Sequence, residues 1–198
     1  MTVYCYDTEF LEDGHTIELI SIGIVCADGR EYYAVNADMP VDRILRNKWL
    51  VNNVWRHLPV RGLKTGLVGS GDNIRNEVTQ DGCLDRGSIR VKPKWVIANE
   101  VRDFMLAGVD TSIPVGASMY HPELWAYFGA YDHVALAQLW GSMMQLPKGM
   151  PMYTHDLKQE MDRLGIPESA VPQPENAHNA LADAQWNMAM LSVMRSEP

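Results

Sequence analysis

The sequence predicts one mixed α/β domain, a sheet flanked by helices, on three observations. Residues 2–36 contain three apolar, β-rich runs joined by short turns. From Pro40 the apolar residues take up a helical period, and beyond residue 122 strand-like and helix-like segments alternate. A chain of 198 residues can bury one substantial core, so a single domain over 1–198 is expected.

The first strand is read at 2–7 from Val3, Tyr4 and Cys5. The second is IELISIGIVC at 17–26, and the third is EYYAVN at 31–36. Asp28-Gly29 between the last two is a hairpin signal, because a tight turn needs positive φ. Val41, Ile44, Leu45 and Trp49 form a helical stripe between Pro40 and about His57. Residues 59–93 are rich in Gly and polar residues without a sustained period, and read as a flexible insertion. Basic residues in and beside it, Arg61, Lys64, Arg86, Arg90, Lys92 and Lys94, suit phosphates or a solvated loop equally. A helix is expected at 95–107, then a Gly/Pro-rich connection to about Pro122. ELWAYF (123–128) reads as a strand, and Asp132–Trp140 as a helix stopped by Gly141. A short strand at 151–154 and helices at 156–164 and 178–195 complete the order.

Composition excludes several classes. A net charge of −8 argues against gripping long nucleic acid through a basic surface, though not against an enzyme whose positive charge arrives as metal ions. Cys5, Cys26 and Cys83 form no CxxC pair and suit reduced thiols of a cytoplasmic protein. Asp7 and Glu9 interrupt the first apolar run, which rules against a signal peptide, and no run reaches the eighteen apolar residues of a membrane span. GSGD at 69–72 lacks the Gly-Lys-Ser/Thr ending of a phosphate loop.

The chemistry concentrates in YDTEF. Alternation along a strand puts Asp7 and Glu9 on one side, about 6–7 Å apart, with Thr8 facing the other way. Buried carboxylates are costly without a counter-charge, and two hard oxygens suit Mg²⁺ or Mn²⁺ better than zinc. Asp132 falls where a strand gives way to a helix, a position an ordinary N-cap also explains. His178 precedes Asp183 by five residues, too far for one helical face, so the His is expected at or before the helix start. Four carboxylates and one histidine from strand and helix ends describe a two-metal phosphodiester site, with the His able to take a proton from water.

DTE at 7–9, YD at 131–132 and HNALAD at 178–183 resemble, in the same order, the motifs of the DEDDh 3′-5′ exonucleases. YDTEFLEDGHTIELISIGIV, DGREYYAVN, ELWAYFGAYDHVALAQLWG and LPKGMPMYTHDL are similar to the RNase AS family of polyadenylate-preferring 3′-exoribonucleases. The resemblance covers most of 3–57 and 95–192 and thins over 59–93 and 165–177. It implies a ribonuclease-H-like (DnaQ-like) α/β fold and two Mg²⁺ ions, or Mn²⁺, held by Asp7, Glu9, Asp132 and Asp183. It further implies His178 as general base, adenylate-rich RNA 3′ ends as substrate and a homodimer. Phe10 resembles the family's wedge against the terminal bases. Trp125 and Tyr127, on one face of a strand running toward Asp132, are candidate pocket walls, Trp125 foremost, and Thr8 joins these substrate-binding candidates. A broad or DNA-directed 3′-5′ exonuclease, or a catalytically silent RNA-binding module, would share the fold, but the presence of all five catalytic positions weighs against silence. His133 is expected in a supporting or surface position, and His57, His121 and His155 as structural residues.

Overall fold

The computed structural model describes residues 2–109 and 121–196. The Gly/Pro-rich connection expected before Pro122 lies largely outside the described residues. Strands β1 (Thr2–Glu12), β2 (Ile17–Cys26) and β3 (Glu31–Asn36) form an antiparallel meander. Gly29, at φ +91°, turns the second hairpin, and Cys26 N–H donates to the Arg30 carbonyl at 2.8 Å. Helices α1 (Val41–Arg46) and α2 (Lys48–Asn53) replace the single helix expected over 40–57. The break falls at Asn47, whose side chain accepts from the Trp49 and Leu50 N–H groups and so caps a new helix.

Residues 59–93 hold short paired strands: β4 (Val60–Arg61), β5 (Lys64–Val68), β6 (Arg75–Gln80), β7 (Cys83–Leu84) and β8 (Val91–Lys92). β4 pairs with β7 and β5 with β6, each as a separate two-stranded sheet. After α3 (Lys94–Met105), the chain forms β9 (Pro122–Ala126), α4 (Ala130–Ala137), β10 (His155–Asp156), α5 (Leu157–Leu164) and α6 (Ala180–Ser196). The strand expected at 151–154 is found at His155–Asp156, and the helix expected from Asp132 begins two residues earlier. The central sheet has six strands in the order β10-β9-β1-β2-β3-β8, with β9, β10 and β8 parallel to their neighbours. It is therefore a mixed sheet.

Alternation along β1 builds both helical layers. Tyr4 and Tyr6 pack with Ile97, Val101 and Met105 of α3 and Ala135 and Leu136 of α4. Val3 and Cys5 pack with Leu157 and Met161 of α5 and with Trp186, Met190 and Leu191 of α6. Asp7 and Glu9 continue the second series beyond the apolar layer, while Thr8 continues the first. The three cysteines are free. Among the described residues, no helix is long and apolar enough to cross a membrane.

Candidate active site

A cleft of about 510 Å³ opens where β1, α4 and the approach to α6 meet. Asp7, Thr8, Glu9, Phe10, Asp132, His178 and Asp183 line it, with Trp49, Tyr127 and Tyr131 among its aromatic walls. All five predicted catalytic residues are thus brought together from positions up to 176 residues apart.

Each carboxylate is held by a different device. Asp7 and Glu9 come from the one strand, and a register shift between Glu9 and Phe10 bends it just past the pair. Asp132 sits in the first turn of α4 and is 6% exposed. It is no N-cap, because Gly129 holds that position and the Asp132 side chain turns to β1. Its Oδ1 accepts from Thr8 N–H at 2.8 Å and from Thr8 Oγ1 at 2.6 Å. Thr8 therefore serves Asp132 from the face opposite Asp7 and Glu9, as well as bordering the cleft. Asp183 lies in the first turn of α6 and accepts the backbone N–H of His178 at 2.8 Å. His178 precedes that helix with φ +67°, a left-handed conformation uncommon outside glycine. That turn brings a pair five residues apart to one site, and the Trp49 ring meets the imidazole edge-on at 4.9 Å.

The four carboxylates crowd one another. Burial pushes Asp7 well above the usual carboxylate range, and the charges of Asp132, Glu9 and Asp183 add to the effect. Glu9 is pushed up to about 8 by burial, then by Asp183 and Asp132. Burial raises Asp132 to about 6 against the opposing Thr8 hydrogen bonds. Asp183 is also raised by burial, against the His178 hydrogen bond. Glu9, His178 and Asp183 place potential ligand atoms within 4.8 Å of one another, close enough to share one ion. Asp7 and Asp132 line the same cleft outside that trio. That trio is two carboxylates and one imidazole, and the four carboxylates that line the cleft are hard oxygen donors of the kind that suits Mg²⁺ or Mn²⁺.

The substrate-binding candidates divide. Phe10 lines the cleft and packs edge-on against Tyr131 at 5.9 Å. Tyr127 also lines it, its hydroxyl donating to Glu168. Trp125 does not. It stacks on His155 at 4.7 Å, donates its Nε1–H to Glu123 at 2.6 Å and borders a separate hollow with Thr154 and Asp156. Its register partner on β1 is Cys5, one side-chain repeat short of Asp7.

Sequence reading missed three contributors. Gly23 on β2 pairs with Asp7, and a Cβ there would sit 2.2 Å from the Ala180 carbonyl oxygen. Only a glycine lets the start of α6 come down onto the sheet, and its signal was a lone Gly inside a β-branched strand. Asp156 caps α5 and also accepts from Gly129 N–H at 2.9 Å, tying the start of α4 to β10. Trp49, read only as part of a helical stripe, is 53% exposed and forms a cleft wall. Of the other histidines, His133 is buried beside Tyr6, its Nδ1 at 3.3 Å from the phenol. Glu18 of β2 ion-pairs with Arg43, which also reaches Asp13 at 2.7 Å.

Comparison with known proteins gives concordant results. The family described as "Rv2179c-like: 3′-5′ exoribonuclease Rv2179c-like domain" matches residues 2–195. The chain is 38% identical over 193 residues to "3′-5′ exoribonuclease Rv2179c" of Mycobacterium tuberculosis strain H37Rv, covering 98% of this chain and 93% of that protein. The same identity and coverage hold for "3′-5′ exoribonuclease MT2234.1" of strain CDC 1551.

Proposed function

The chain belongs to the Rv2179c-like 3′-5′ exoribonuclease family and is an exoribonuclease, and from that premise we propose a two-metal-ion hydrolysis that releases nucleoside 5′-monophosphates from RNA 3′ ends. The observation that carries the mechanism is the convergence of four carboxylates and His178 on one aromatic-walled cleft. On this reading the fold is ribonuclease-H-like and the site is of the DEDDh type. Asp7, Glu9, Asp132 and Asp183 would hold two Mg²⁺ ions, or Mn²⁺. The ions would neutralise the scissile phosphate and stabilise the departing oxygen.

The chain's own residues perform the rest. His178 takes a proton from the attacking water, aided by its fixed position beside Asp183. The water oxygen bonds to phosphorus, the bond to the 3′ oxygen of the preceding nucleotide breaks, and that oxygen takes up a proton. Thr8 holds Asp132 in place through two hydrogen bonds. Phe10, Tyr127 and Tyr131 offer ring surfaces for the terminal bases, each stacked base contributing about 1–3 kcal/mol. A preference for adenylate-rich RNA and assembly as a homodimer follow from the resemblance to RNase AS, and form part of the proposal.

The test is incubation of 5′-labelled oligo(A), oligo(U) and oligo(dA) with Mg²⁺ or with EDTA. Stepwise shortening from the 3′ end, fastest on oligo(A) and abolished by EDTA, is expected. Cleavage in EDTA, or internal cuts, would overturn the mechanism, while equal rates on oligo(A) and oligo(U) would remove only the adenylate preference and an equal rate on oligo(dA) would favour the broad 3′-5′ exonuclease. Light scattering coupled to size exclusion reads the dimer directly.

A further inference from the structure

The catalytic cleft holds four carboxylates, and neither Lys nor Arg is among the residues that line it. Beside it lies a second groove of about 320 Å³ of the opposite character. Lys48, Asn52, Arg56, Arg75 and Glu77 line it together with Trp49, the residue it shares with the cleft. Three cations and one carboxylate leave this groove with a net positive charge on a chain whose own net charge is −8.

The groove is built by the packing of the β5–β6 hairpin on α2. Asn52 Oδ1 accepts the Val78 N–H at 2.7 Å, and Arg56 donates to the Asn76 carbonyl at 3.1 Å. These two bonds fix β6 beside the helix that carries Lys48 and Trp49. Among the described residues, none of Lys48, Arg56 and Arg75 forms an ion pair, although nine other pairs are formed there. Unpaired cations gathered in a groove on an acidic protein leave their charge available to a polyanion.

We propose that this groove holds the upstream strand of the RNA. The 3′-terminal nucleotide occupies the cleft, the chain leaves it past Trp49, and the preceding phosphates lie along Lys48, Arg56 and Arg75. A base can stack on the exposed Trp49 ring where the strand turns. This rests on the 3′-exoribonuclease reading and adds to it a dependence on substrate length. Single-strand phosphate contacts made by cations release counterions, so affinity through the groove weakens as salt rises.

The experiment measures kcat/KM with Mg²⁺ on a diadenylate and on a twelve-residue oligo(A), over a range of KCl concentrations. The unmodified protein is compared with Lys48→Gln/Arg75→Gln, both exposed positions outside the α2–hairpin hydrogen bonds, and with Trp49→Ala. The double variant should lower the ratio of kcat/KM for long over short substrate by about tenfold and flatten the salt slope on the long one by roughly 1.4, or 0.7 per cation removed. Trp49→Ala should raise KM for the twelve-mer. An unchanged ratio and an unchanged slope in the double variant would overturn the proposal. Fluorescence anisotropy of labelled oligo(A) in Ca²⁺ supplies a binding readout that needs no turnover. Should the unmodified protein release no mononucleotide from either substrate, the exonuclease reading falls. The groove then stands or falls on whether the double variant weakens that binding.

Discussion

Strands β1 and β9 lie side by side and parallel, yet one carries its carboxylates into the cleft and the other stops short of it. Val3 pairs with Glu123 and Cys5 with Trp125, so the two strands climb in step toward the cleft. β1 continues two and four residues further, to Asp7 and Glu9. β9 ends at Ala126, and the chain then turns through Phe128, at φ +52°, into α4. Tyr127 therefore lies at the level of Asp7 and reaches the cleft, while the larger Trp125 remains at the level of Cys5 among α6 and β10 contacts. Position along the strand, and not ring size, decides which of the two aromatics lines the cleft.

The largest effects should come from the tip of β1 and its partners. Asp7→Asn is expected to reduce turnover on oligo(A) to background while circular dichroism reports an intact fold. His178→Ala should lower kcat by about 10²–10⁴-fold, the usual contribution of a general base. Normal kcat in Asp7→Asn would break the assignment of β1 as the catalytic strand, and normal kcat in His178→Ala that of His178 as general base. Next in size is Gly23→Ala, whose methyl would collide with the Ala180 backbone. Overpacking there should cost about 1–3 kcal/mol in denaturant melts, and kcat should fall because the first turn of α6 carries Asp183 and His178 lies just before it. Across the strand pair, Tyr127→Ala should raise KM about tenfold through the loss of one stacked base. Trp125→Ala should leave KM near its starting value and lower the melting temperature. Reversal of those two outcomes would place the base-stacking ring at Trp125 and not at Tyr127.

These expectations also mark what was legible in the sequence. DTE in a strand, Asp132 after a strand and His178 five residues before Asp183 mark residues that do meet in one cleft, because carboxylates so placed call for a counter-charge wherever they lie. The three-strand meander was legible through β-branched runs and Asp28-Gly29. The place of Trp125 outside the cleft was not legible, because a single strand's alternation tells which face a residue takes, but not its level relative to Cys5, its register partner 120 positions away. The division at Asn47 was hidden because the apolar stripe runs through it, and side-chain capping there overrides the period. Residues 59–93 have no long period because their strands are two to six residues each and largely exposed.

Acidity at the β1 tip makes the metal-free protein sensitive to pH. Glu9 titrates at about 8 in the folded chain, far above the roughly 4.3 of an unfolded Glu. Its folded pKa is raised, so the folded state binds the extra proton, and stability is fullest below about pH 4 and lost as pH rises through about 8. Asp132, raised to about 6, acts in the same direction over a narrower window. In EDTA the melting temperature should therefore fall between pH 5 and pH 8.5, and saturating Mg²⁺ should reverse the fall at high pH. Asp7→Asn, which removes one of the crowded charges, should flatten the EDTA profile. A flat profile in the unmodified protein would contradict the charge crowding inferred for the cleft.

The smallest expected effect is at Thr8, on the face of β1 turned away from Asp7 and Glu9. Thr8→Val keeps the backbone N–H donated to Asp132 and deletes only the hydroxyl bond at 2.6 Å. A hydrogen bond to a charged group contributes about 1.5–3 kcal/mol, and it stabilises the ionised carboxylate specifically. The Asp132 pKa, already raised to about 6 by burial, should then move higher. Activity that needs this carboxylate ionised would decline at a higher pH than in the unmodified enzyme, so the acid limb of the kcat profile should shift upward. Near pH 8 the loss should be modest. Thr8→Ser restores the hydroxyl without the methyl and should return the acid limb to its original position. A packing defect alone would lower stability in both variants without moving that limb, so the profile separates support of Asp132 from simple filling of the core.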